Sequence, residues 1–61
     1  MVLKFKAEDG YPHEQYLYAR RLLEDDDPED AEHWLKQSAS KGNRLAMYML
    51  YKCYRDGKIE D

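Results

Sequence analysis

The sequence is poor in most of what makes chemistry or covalent stability legible. Its 61 residues hold a single cysteine, Cys53. No internal disulfide can form, and a lone thiol favours a reducing compartment such as the cytoplasm. The three glycines stand apart, at 10, 42 and 57, so there is no glycine-rich loop to cradle a phosphate. No apolar run approaches the roughly 18 residues that a membrane-spanning helix needs, and the opening "MVLKFK" is too short and too charged for a signal peptide. An excess of basic charge is missing as well. Ten Lys and Arg stand against thirteen Asp and Glu, a net charge of −3, which sets the expectation against direct nucleic-acid binding.

Catalytic groupings are also absent. Ser38 and Ser40 are not flanked by the glycines of a nucleophile elbow. His13, His33 and Cys53 have none of the short spacings of a zinc site. The run "EDDDPEDAE", residues 24–32, holds seven carboxylates, but it lacks the glycine and the spaced terminal glutamate of a calcium loop. It reads as a solvated loop and helix start. The expectation is therefore a chain that is not an enzyme, with no catalytic residue, no cofactor and no metal.

What the sequence does have is helical punctuation. Asp27 precedes Pro28, with Asp30 three residues on, as in a capping box with Asp in place of Glu. Ala31, Trp34, Leu35, Ser38 and Ala39 then recur at the spacing of one helix face, and Gly42 supplies a stop. Asn43 is a cap for the next helix. Leu45, Ala46, Met49, Leu50, Cys53 and Tyr54 line that helix and Gly57 ends it. An earlier helix starts near Pro12, lined by Tyr16, Ala19, Leu22 and Leu23, and fades into the acids around Asp25 and Asp26. The opening "VLKFKAED" is expected to form a short helical turn or two. The fold class is thus all-α: about three helices in helix–turn–helix arrangement, with Trp34 as the expected keystone of the core.

The chain also matches itself at an offset of 32 residues. Leu3 falls on Leu35, Lys4 on Lys36, Ala7 on Ala39, Gly10 on Gly42 and Tyr16 on Tyr48, with Arg20 on Lys52 as a softer match. Periods in the thirties with paired helices signal an α-solenoid. Residues 27–57 are similar to a Sel-one-like repeat, a relative of the tetratricopeptide repeat. Asp27, Ala31, Trp34, Ala39, Gly42, Asn43, Ala46, Tyr48, Leu50, Tyr54 and Gly57 fall on that family's pattern without a gap. Ser38 replaces the first alanine of a pair, Tyr51 replaces a glycine, and the loop in "LLEDDDPEDA" is shorter than the family's usual one.

The resemblance implies an α–α superhelix in which Ala31, Trp34, Ala39, Gly42, Ala46, Leu50, Tyr54 and Gly57 are structural. It divides the chain into the end of one repeat (1–10), a repeat (11–42) and the start of another (43–61). Both ends then fall inside repeats, so the expectation is a segment of a longer, bacterial-type protein. Such repeats typically act as adaptors and scaffolds, so a protein partner is implied, with no membrane contact, and self-association through exposed repeat ends. Tyr18, Met47, Tyr48 and Tyr51, on the first helices of the two repeats, are the candidate partner-binding residues. Their equal alternative is packing against a neighbouring repeat. The alternative function is an accessory helical-repeat domain of a nucleic-acid-processing protein such as a plasmid-mobilisation relaxase.

Overall fold

A computed structural model describes residues 2–59, with the backbone alone for Val2 and Leu3. The expectations placed on Met1 and on the end of the second repeat at Asp61 lie outside the described residues. The described residues form four helices: α1 (Val2–Glu8), α2 (Pro12–Glu24), α3 (Pro28–Ser40) and α4 (Arg44–Arg55). The protein is all-α. The fourth helix beyond the three clearly punctuated ones is the opening stretch, which forms a seven-residue helix.

The helix starts follow local chemistry with one exception. Proline opens α2 and α3, where its missing N–H is no loss. At α4, Asn43 Oδ1 accepts the N–H groups of Leu45 at 2.9 Å and Ala46 at 3.3 Å. Asp27 holds the corresponding position before α3, but its side chain makes no capping bond, and the expected capping box does not form. Its backbone, at φ −124° and ψ 69°, departs from the extended conformation that aims a cap side chain at the first turn.

All four helices end in the same motif. One residue past each cap the chain turns left-handed, and two N–H groups reach back to close the last turn. After α1 these are Gly10 to the Ala7 carbonyl and Tyr11 to that of Lys6. After α3 they are Gly42 to Ala39 and Asn43 to Ser38, and after α4, Gly57 to Tyr54 and Lys58 to Cys53. After α2, Asp26 bonds to Leu23 and Asp27 to Leu22. Glycine fills the left-handed position in three cases and aspartate in the fourth. The 32-residue offset reappears in the helix ends: Glu8 and Ser40 close α1 and α3, and Pro12 and Arg44 open α2 and α4.

Each helix packs on its neighbours in the chain, α1 on α2, α2 on α3 and α3 on α4, with α2·α3 the most extensive junction. The seam is built from small side chains. Ala19, Leu22, Ala31, Leu35 and Ala46 form its centre, with Tyr16, Tyr18, Leu23, Trp34, Ala39, Met49 and Leu50 packed around it. Leu35 is the one large apolar side chain described as fully buried. This corrects the expectation for Trp34, which is only half-buried. Helices that meet over alanines come too close to enclose an indole. Trp34 therefore lies at the rim of the α2·α3 seam, edge-on to Tyr18 at 5.6 Å between ring centroids.

Polar bonds lock the α3–α4 corner onto the start of α2. Ser38, fully buried, donates its hydroxyl to the Pro12 carbonyl, which also accepts from Asn43 Nδ2 at 3.2 Å. Lys41 Nζ donates to the Gly10 carbonyl at 2.8 Å. Between α1 and α2, the buried Gln15 donates Nε2 to the Ala7 carbonyl at 3.0 Å, while its Oε1 finds no partner.

Candidate functional site

The sequence RLAMYMLYKCYR of α4 carries three cations and no carboxylate. It is also apolar on both sides. Ala46, Met49, Leu50 and Cys53, at helical spacing, turn toward α3 and are buried or half-buried. Tyr48 and Tyr51 lie on the opposite side, with Leu45 and Met47 at its two margins, all about half exposed or more. Leu45, expected on the inward stripe, belongs instead to this outer face, because α4 has a covering helix on one side only. A helix that is apolar all round is ordinarily one that is enclosed.

The offset of 32 makes the contrast specific. Gln15, Tyr16 and Ala19 of α2 correspond to Met47, Tyr48 and Tyr51 of α4. In α2, which has α1 on one side and α3 on the other, Gln15 is 2% exposed and Ala19 0%. In α4, Met47 is 46%, Tyr48 60% and Tyr51 58% exposed. Gln15 and Ala19 are buried in α2 and Tyr16 is half-buried, whereas all three counterparts in α4 are exposed.

Cations lie against this aromatic surface. Lys52 Nζ sits 5.5 Å from the centre of the Tyr48 ring, and the Arg55 guanidinium 5.6 Å from that of Tyr51. The same arrangement occurs one repeat earlier, with the Arg20 guanidinium 5.8 Å from the Tyr16 ring centre. Arg55 Nε also approaches Asp56 Oδ1 at 3.3 Å. Of the four candidate partner-binding residues, Met47, Tyr48 and Tyr51 share α4. Tyr18 does not join them. It is half-buried against Trp34, with its ring area spent on the α2·α3 seam.

The Glu32 and Cys53 side chains are held in contacts within the fold. Tyr54 donates its hydroxyl to Glu32 Oε2 at 2.6 Å, and Lys36 Nζ approaches the same oxygen at 3.3 Å. The Tyr54 bond, aided by Lys36 and opposed by partial burial, holds the Glu32 carboxyl below its usual range. This clasp ties α4 to α3. Burial pushes the Cys53 thiol up, away from the reactive thiolate. A cleft of about 630 Å³ at the start of α3 is lined by Pro28, Glu29, Glu32, Gly57, Lys58 and Ile59, with no histidine, serine or cysteine. Among the described residues no group of three or more His, Cys, Asp or Glu could hold a metal ion, and no helix is long and apolar enough to cross a membrane.

Sequence reasoning missed two buried residues. Gln15 continues the stripe of Ala19 and Leu22 but is polar. Ile59 is 5% exposed and lies past the last helix. Ser38 lies on the core face as its spacing predicts, and its bond to the Pro12 carbonyl is what the spacing does not show. Compared with protein-family models, curated proteins and solved structures, the chain matches none of them.

Proposed function

We propose that this chain is a non-enzymatic interaction module, a short array of Sel-one-like helical repeats that docks a partner protein on the outer face of α4. The observation that carries the reading is the exposure of Met47, Tyr48 and Tyr51 at positions whose counterparts in α2 are buried, as Gln15 and Ala19 are, or half-buried, as Tyr16 is. Tyrosine and methionine are the residues that protein interfaces favour, the first for rigid amphipathic area and the second for adaptability. The face is linear and helix-shaped, so the occupant is a helix laid along it. Tyr18 serves the seam and not the interface.

Chemical-shift mapping tests this on the full chain. An amphipathic helical peptide should shift the amides and side chains of Leu45, Met47, Tyr48 and Tyr51 and leave α1 and α2 still. Shifts centred on the cleft at Pro28 and Lys58, or on α1, would refute the assignment.

The alternative role, as an accessory domain of a nucleic-acid-processing protein, draws on the same three cations of α4. The carboxylate run at residues 24–32 weighs against it, since a phosphate backbone would be repelled there.

A further inference from the structure

We infer that the helix docking on α4 is acidic: a partner segment with an apolar stripe flanked by Asp or Glu. The inference rests on the docking reading above and adds the chemistry of the partner. It comes from the distribution of charge. The chain as a whole is net −3, yet α4 bears Arg44, Lys52 and Arg55 and no acid, whereas α1, α2 and α3 each carry at least one. Arg44 and Arg55 are exposed at the two ends of the helix, and Lys52 is half-exposed beside the stripe. The exposed face around Tyr48 and Tyr51 thus has a cation at each end, Arg44 and Arg55, and Lys52 at its side, with Arg55 also paired to Asp56 just past the helix.

Two features make that frame a recognition device. Lys52 and Arg55 rest over the rings of Tyr48 and Tyr51, so each ring and its cation present one joint surface. A carboxylate arriving there meets a donor already held in place, so less side-chain freedom is lost on binding. The frame also discriminates. A basic helix would set like charges against Arg44, Lys52 and Arg55, and a second copy of this chain laid α4 on α4 would do the same. Single-stranded nucleic acid could use tyrosines and cations, but Leu45 and Met47 give it nothing to bond, and the acidic run of the chain repels it.

The test uses the full chain and two labelled helical peptides of roughly 15 residues, long enough to hold helical structure. Both carry the same Leu/Ala stripe, one flanked by Glu and the other by Lys, and binding is read by fluorescence anisotropy. The acidic peptide should bind at least about tenfold more tightly at low ionic strength, and the gap should narrow as salt screens it. Arg44→Glu/Lys52→Glu should reverse the preference, and Tyr48→Ser/Tyr51→Ser should abolish binding of either peptide, with helicity checked by circular dichroism. Equal binding of both peptides, lost in the tyrosine variant, would overturn the acidic inference and leave the docking reading standing. Binding of neither would overturn both. Tighter binding of a labelled oligothymidine than of the acidic peptide, or a concentration-dependent dimer abolished by the tyrosine variant, would assign the face to nucleic acid or to a second copy and overturn the inference.

Discussion

Asp26 is the one left-handed residue among the described residues that is not glycine, and replacing it should stabilise the protein. It holds φ 61° at the position where the other three helix ends place Gly10, Gly42 and Gly57. An L-residue in this region is strained by roughly 1–2 kcal/mol, with aspartate toward the low end because its short polar side chain tolerates the conformation. Glycine removes that strain but loses more backbone freedom on folding, about 0.5–1 kcal/mol. A carboxylate at the negative end of the α2 dipole adds a further unfavourable interaction of about 0.3–1 kcal/mol. The net expectation for Asp26→Gly is a gain of about 1 kcal/mol. For a domain of this size that raises Tm by roughly 4–8 °C. Thermal unfolding followed by circular dichroism reads the shift. Asp26→Asn removes the charge and keeps the left-handed tolerance, so it should recover part of the gain. Asp26→Val should destabilise, because a branched β-carbon suits a left-handed backbone poorly. If Asp26→Gly left Tm unchanged or lowered it, or if Asp26→Val were neutral, the shared helix-end motif would not be the source of strain described here.

Further expectations concern the seam. Leu35→Ala empties the centre of the core and should cost about 2–5 kcal/mol, comparable with the whole stability expected of so short a chain. Trp34→Ala strips only the rim and should cost less, so urea midpoints that ranked Trp34 above Leu35 would contradict the packing described. Tyr54→Phe removes the hydroxyl that bonds Glu32 and should cost about 1–1.5 kcal/mol at neutral pH. Because that bond depresses the Glu32 carboxyl in the folded protein, its contribution is complete above the usual glutamate range and disappears as pH falls through the depressed value. The stability gap between the native chain and Tyr54→Phe should therefore close in acid, and a gap independent of pH would exclude the clasp as its cause. Gln15→Met gives up one hydrogen bond and relieves the unpartnered Oε1. The Ala7 carbonyl keeps the N–H of Gly10, so the change should be neutral or stabilising by up to about 1 kcal/mol. Loss of more than that on denaturant unfolding would mean that Oε1 is satisfied.

Helix boundaries were legible because their signals are local. A glycine after a helix and a proline or asparagine before one act through their own φ values and hydrogen bonds, and the 32-residue offset of Gly10 and Gly42 carried over into the helix ends. Burial was less legible because it depends on how closely the helices approach. Trp34 has the largest apolar side chain, yet the seam is set by Ala19, Ala31 and Ala46, which leave room for Leu35 and push the indole to the rim. Gln15 was hidden by its polarity, and Ile59 by its place beyond the last stop. Asp27 has the residue type of a cap, but its backbone, at φ −124° and ψ 69°, is not the extended conformation that brings a cap side chain onto the first turn. For the candidate site, the composition of α4 was plain in the sequence. That Tyr18 belongs to the seam while Tyr48 and Tyr51 face outward required knowing which sides of each helix are covered.

The central claim is that the outer face of α4 contributes to binding and little to the fold. It is tested most directly by measuring the unfolding midpoint and the acidic-peptide affinity of Tyr48→Ser/Tyr51→Ser on one sample. Exposed substitutions of this kind should each change stability by no more than about 0.5 kcal/mol, while affinity falls more than about tenfold. Unfolding of the variant, or peptide affinity equal to that of the native chain, would contradict the account.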